Sequence, residues 1–178
     1  MFKKKIKHGC GITGGAVVHL FDSLGKNPNI EYICTHHEQA VAMAVDGYSR
    51  QGKLGVGIAT SGPGATNLLT GICCSYFDSI PGLFFTGQLV TPKFQEYPGV
   101  RQIGFQEVNI PKIFETVTKY VSLIDNPKDI KYELEKAIYL ATSGRPGPVI
   151  LDLPDDIQRA EINPEELKSY VPEEIKGN

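Results

Sequence analysis

The sequence predicts an α/β fold, a three-layer sandwich in which a mostly parallel open sheet carries helices on both faces. Three observations predict it. Short β-branched runs alternate with longer helical patterns along most of the chain. The run Gly82 to Thr86 shows no polar alternation, as a strand buried on both faces requires. Glycine-rich turns, Gly14-Gly15 and Ser61-Gly62-Pro63-Gly64, stand where strands should hand over to helices.

Ile6 to Ile12 reads as the first strand, and Gly14-Gly15 opens a helix behind it. Glu31 to Cys34 is the next strand, and Glu38 to Arg50 has the Ala-rich spacing of a well-packed helix. Leu54 to Thr60 is a strand. Gly64 to Tyr76 is a single helix whose Ala, Leu and Ile fall three and four apart. After the Gly82 to Thr86 strand, Pro92 to Gly104 is a loop rich in Pro, Gly and charge. Val108 to Val117 reads as helix and Tyr120 to Ile124 as strand. Asn126 before Pro127 starts an amphipathic helix that runs to Thr142. Val149 to Leu153 is the last strand, introduced by Gly144-Arg145-Pro146-Gly147-Pro148. Beyond Pro154 the chain turns acidic, with Glu165-Glu166, Pro172 and Glu173-Glu174. One domain over residues 1–158 is therefore expected, with 159–178 as a linker or tail.

Composition excludes several classes of function. Apolar residues make up 41% and charged residues 21%, and the net charge is −2, so nothing favours nucleic acid or an anionic membrane. Lys3, Lys4, Lys5 and Lys7 form a basic run with no apolar stretch behind it, which is neither a secretory nor a transit signal. No window approaches the 18 consecutive apolar residues of a membrane span. The expected location is the cytoplasm. Cys10, Cys34, Cys73 and Cys74 form no C-x-x-C pair, and no His completes a zinc spacing. Reduced thiols in the core are the expectation.

The chemistry concentrates between His36 and Gln88. Glu38 lies at a strand–helix junction, and Ser61-Gly62-Pro63-Gly64-Ala65-Thr66-Asn67 begins 23 residues later at the next one. A carboxylate and a tight turn thus reach neighbouring strand ends of one parallel sheet, where open α/β sheets bind ligands. An isolated Glu in a first helical turn can equally be a helix-dipole contact, and a Gly-rich turn alone can serve any strand–helix junction. The combination, in this order, closely resembles the pyrimidine-binding domain of thiamine diphosphate enzymes, within them the acetolactate synthase group. The likeness runs from Ile6 to Gln158.

That resemblance implies a thiamine diphosphate-binding fold and assigns roles residue by residue. Glu38 would hydrogen-bond the aminopyrimidine and drive its shift to the imino form that activates the cofactor. Pro63, Asn67 and Gln88 would line the cofactor. Phe105 and Gln106, in Phe105-Gln106-Glu107, match residues that face its reacting end. Gly15 and Ala16, in Gly14-Gly15-Ala16, match a segment near the substrate. Arg145 occupies the position at which acetolactate synthases contact flavin adenine dinucleotide (FAD), or else anchors a Pro-rich turn. The implied reaction is carboligation or decarboxylation of pyruvate or another 2-oxo acid, as in branched-chain amino acid biosynthesis.

Two departures shape the expectation. The helix that relatives carry before the first strand is missing. No Gly-Asp-Gly turn occurs, so the Mg²⁺ that holds the diphosphate has its ligands on a diphosphate-binding domain elsewhere, and the chain supplies half of an active site. It reads as a fragment leading toward an absent central domain, or as a subunit of a split 2-oxo acid decarboxylase. A non-catalytic binding or oligomerisation module that retains the fold is the competing class. Family architecture also implies a homo-oligomer, with an exposed apolar patch of Leu68, Leu69, Ile72 and Phe77 on the helix after Gly64.

Overall fold

A computed structural model describes residues 6–91 and 99–172. Among the described residues six strands form one sheet: β1 (His8–Gly11), β2 (Glu31–Cys34), β3 (Gly55–Ala59), β4 (Gly82–Gln88), β5 (Tyr120–Leu123) and β6 (Pro148–Pro154). Their spatial order is β2-β1-β3-β4-β6-β5, and every neighbouring pair is parallel. Among the described residues the α-helices are α1 (Val18–Lys26), α2 (Glu38–Ser49), α3 (Pro63–Asn67), α4 (Leu69–Phe77), α5 (Ile110–Phe114), α6 (Ile130–Thr142) and α7 (Asp155–Gln158).

Burial explains which strands lack polar alternation. β3 and β6 are buried along their whole length and β4 at all but Phe85, because helices cover both faces. On one face, Val41 and Val45 of α2, Ile72 of α4 and Phe114 of α5 pack on Phe84 and Ile150. On the other, Ala137 and Ala141 of α6 pack against Leu83, Val149 and Leu151. Within the first layer, Asp46 of α2 accepts hydrogen bonds from Arg50 and from Ser75 of α4, which ties the two helices together. The second layer is looser. α1 has no fully buried residue, and an apolar cavity of about 310 Å³, lined by Leu20, Leu24, Ile58, Leu83, Leu134 and Ile138, opens between α1 and α6.

Several expectations need correction. The helix expected from Gly64 to Tyr76 is two: Leu68 N–H bonds back three residues to the Ala65 carbonyl, and the chain resumes as α4. Leu68 and Ile72 do not belong to an exposed patch. Both are fully buried in the layer against the sheet, Leu69 is half-buried, and Phe77 is exposed at 68%. Cys10 is buried as expected, but Cys34 and Cys74 are exposed, Cys34 because β2 is an edge strand with little cover. The segment after Pro154 starts as α7, and the irregular stretch beyond it lies along α6. There the Tyr170 N–H donates to Glu135, and its ring meets Tyr132 and Tyr139. No helix among the described residues is long and apolar enough to cross a membrane.

Candidate functional site

In this strand order the chain leaves β1 toward β2 on one side, whereas it leaves β3 toward β4 on the other. The loops beyond β1 and β3 part, and a crevice forms at the strand C-termini between them. Glu38 enters it from the end of β2. His37 caps α2 in an extended conformation, its Nδ1 accepting the Gln39 N–H at 3.1 Å, while the Thr35 hydroxyl donates to the His37 carbonyl. This cap fixes Glu38 as the first helical residue, half-buried, with its carboxylate aimed across the sheet end.

The turn after β3 meets it. Asn67 Nδ2 donates to Glu38 Oε2 at 3.0 Å. A Cβ on Gly64 would stand 3.3 Å from Glu38 Oε1, so the backbone of the turn forms the wall beside the carboxylate. Gly62 has φ +57°, and a side chain there would strike the Gln106 carbonyl oxygen at 2.6 Å. The Phe105–Gln106 segment is thereby seated directly on the Gly-Pro-Gly turn. Gln106 itself sits at φ +56°, a strained conformation of the kind that clusters at functional sites. Phe105 is 70% exposed, and Pro63 is exposed at the first turn of α3.

Glu38, Pro63, Asn67, Phe105 and Gln106 are therefore brought together at one sheet edge. Gly15 is exposed beside them, whereas Ala16 is buried against β4, its carbonyl accepting a hydrogen bond from Gln158. A Cβ on Gly87 would overlap that carbonyl oxygen. Gly87→Ala should consequently push the Gly14–Ala16 segment off β4 at a cost of about 2–3 kcal/mol. A denaturant midpoint unchanged from the unsubstituted protein would refute this packing.

Two of the expected residues lie apart from the crevice. Gln88 is buried under it, its Nε2 donating to the Val108 carbonyl at 2.7 Å and to Asp152 at 3.2 Å. Arg145 stands at the opposite edge of the sheet, before the start of β6, and donates to Ser79 Oγ at 2.6 Å and to the Phe77 carbonyl. Among the described residues, no group of three or more His, Cys, Asp and Glu side chains is placed to hold a metal ion.

Sequence reasoning missed Asp152. It lies in β6 opposite Thr86 of β4, is 1% exposed, and accepts the Thr86 hydroxyl at 2.6 Å and the Gln88 amide. Burial pushes its pKa up to about 7, against the two hydrogen bonds that hold it down. A signal was present: an Asp inside an otherwise apolar strand must find partners or lose its charge.

Comparison with known proteins shows the family of the chain. Residues 1–113 match the family of thiamine pyrophosphate enzymes through its N-terminal TPP-binding domain. The acetolactate synthase large subunit of Buchnera aphidicola subsp. Acyrthosiphon pisum is 43% identical over 153 residues, 85% of this chain and 26% of that protein. Acetolactate synthase isozyme 3 large subunit of Escherichia coli is 41% identical over 172 residues, 96% of this chain and 28% of the relative. The probable acetolactate synthase large subunit of Methanocaldococcus jannaschii is 42% identical over 154 residues, 86% and 25%. The chain thus spans about a quarter of the length of these curated relatives.

Proposed function

Because the chain belongs to the thiamine pyrophosphate enzyme family, as its N-terminal TPP-binding domain, we propose that it receives the aminopyrimidine end of thiamine diphosphate for an acetolactate synthase-like reaction. The substrate would be pyruvate or another 2-oxo acid. The observation that carries this reading is the Glu38 carboxylate held by Asn67 across a glycine-walled turn at the sheet's switch point. A carboxyl with one oxygen anchored and the other facing a backbone cradle fits a heteroaromatic nitrogen that must share a proton.

Bound thiamine diphosphate would supply the carbon nucleophile and electron sink for the 2-oxo acid. The work of this chain is to prepare it. Asn67 keeps Oε2 of Glu38 occupied, so that proton exchange with the pyrimidine falls to Oε1. The Gly62–Gly64 backbone and Pro63 form the wall against which the ring would rest. Phe105 and Gln106, seated on Gly62, would cover the reacting side and exclude water, and Gly15 leaves room for the 2-oxo acid.

Diphosphate and Mg²⁺ do not fit the described residues, and we assign them to a diphosphate-binding domain, in a longer chain or on a partner. FAD bound through Arg145 would lie at the far sheet edge and take no part at Glu38. Assembly into a dimer or larger oligomer, which the family architecture implies, belongs to the same proposal. Four unpaired cysteines suit a reducing, cytoplasmic setting. Residues 1–158 would form the pyrimidine-binding domain, with 159–178 leading onward.

Calorimetry tests the division of labour. The 178-residue chain alone should bind thiamine diphosphate with Mg²⁺ no tighter than about 10 μM. Submicromolar binding would show that it holds the diphosphate itself. Failure to bind even when combined with a diphosphate-binding domain would remove the cofactor assignment.

A further inference from the structure

We propose that Asp152 is a positioning residue, which acts through Gln88 to hold the segment from Gly104 to Val108 on the Gly62 turn. The proposal rests on the functional reading only for the identity of the site; the linkage itself is a property of this chain. Asp152 Oδ2 accepts from Gln88 Nε2, and the same nitrogen donates to the Val108 carbonyl at 2.7 Å. The Thr86 hydroxyl holds the other oxygen of Asp152, which fixes the carboxyl in β6 opposite its partner strand.

The orientation of Gln88 is decided by these bonds. A carbonyl at Val108 can only accept, so the Gln88 NH₂ group must face it, and its second hydrogen then points at Asp152. Gln88 Oε1 is left buried with no partner among the described residues. Such an amide would turn or withdraw if nothing opposed it, and Asp152 is the acceptor that keeps it in place.

From Val108 the constraint passes into the segment. Its carbonyl also receives the Ile110 N–H, which sets the entry to α5. Before it, Glu107 Oε2 accepts the Gly104 N–H at 2.6 Å and closes a turn that contains Phe105 and Gln106. That turn rests its Gln106 carbonyl on Gly62. A buried carboxyl in the sheet therefore determines where exposed Phe105 and half-buried Gln106 of the crevice stand.

Amide hydrogen exchange on the full 178-residue chain, without cofactor, tests the linkage apart from any activity. Asp152→Ala should speed exchange across 104–113 by about tenfold relative to α6, the loss of about one hydrogen bond. Asp152→Asn, which still offers an acceptor oxygen, should restore most of the protection. Gln88→Leu should reproduce the local effect, and Asp152→Ala added to Gln88→Leu should add nothing more in 104–113. Should Asp152→Ala not fold, Asp152→Val, which offers no acceptor but suits an apolar strand, takes its place alone and with Gln88→Leu in the same comparison. A uniform rise across all segments, or additive effects of the two positions, would overturn the proposal.

Discussion

Glu38→Gln, in the chain completed by a diphosphate-binding domain, should lose about 10²–10⁴-fold in turnover, the range removed with a proton-transferring side chain. The substitution is close to isosteric. Its amide oxygen can still accept from Asn67 Nδ2, so the α2 start and the Gly62–Asn67 turn should keep their geometry. What disappears is the capacity of Oε1 to hold and release a proton beside the glycine wall. Thermal unfolding within about 1 °C of the unsubstituted protein, together with near-complete loss of turnover, is the expected pair of results. Turnover within a factor of two of the original would mean that another group activates the cofactor. Cofactor binding should weaken less than turnover, because the wall formed by Gly62 to Gly64 remains.

Much of this site was legible because it depends on residue types that few other roles explain. Gly62 is required by a positive φ and by the approach of Gln106, and Glu38 stands at the first helical position. The positive φ and the helix start are local properties, and strand–helix alternation puts both at strand C-termini. The expectation of neighbouring strands does not hold, because β1 lies between β2 and β3. The strand Glu31–Cys34 emerged with the same bounds in sequence and structure for the same reason, a β-branched and aromatic run between turn signals.

The rest depended on contacts distant in sequence. The interruption at Leu68 has no Gly or Pro to announce it, since α3 and α4 share one apolar pattern across the break. Exposure of Cys34 follows from β2 lying at the sheet edge, and strand order is not written in the periodicity of any single strand. Gln88 ends β4 near the crevice, yet its side chain turns inward because Val108 and Asp152, 20 and 64 residues away, supply its acceptors. Arg145 was a motif residue without a place. The all-parallel order puts the turn before β6 at the far edge, where Ser79 and the Phe77 carbonyl take its guanidinium.

Asp152 should make the protein less stable as pH rises. Its carboxyl titrates near pH 7 in the fold, because almost all solvent is excluded and two hydrogen bonds only partly compensate, against about 3.8 for an open carboxyl. Below about pH 4 both folded and unfolded states hold the proton, and the residue adds no pH dependence. Between about pH 4 and 7 the folded state holds it and the unfolded state does not, so stability falls by up to about 1.4 kcal/mol per pH unit. Above pH 7 the penalty levels off at an upper bound of about 4 kcal/mol, from roughly three pH units of separation. Asp152→Asn cannot ionise. Its stability relative to the unsubstituted chain should rise from pH 5 to pH 8 by about 2–3 kcal/mol, read from urea midpoints at each pH. Parallel curves for the two proteins over that range would show that the carboxyl ionises alike in both states. The buried contacts with Thr86 and Gln88 would then have to hold a charged Asp152 at no cost in stability.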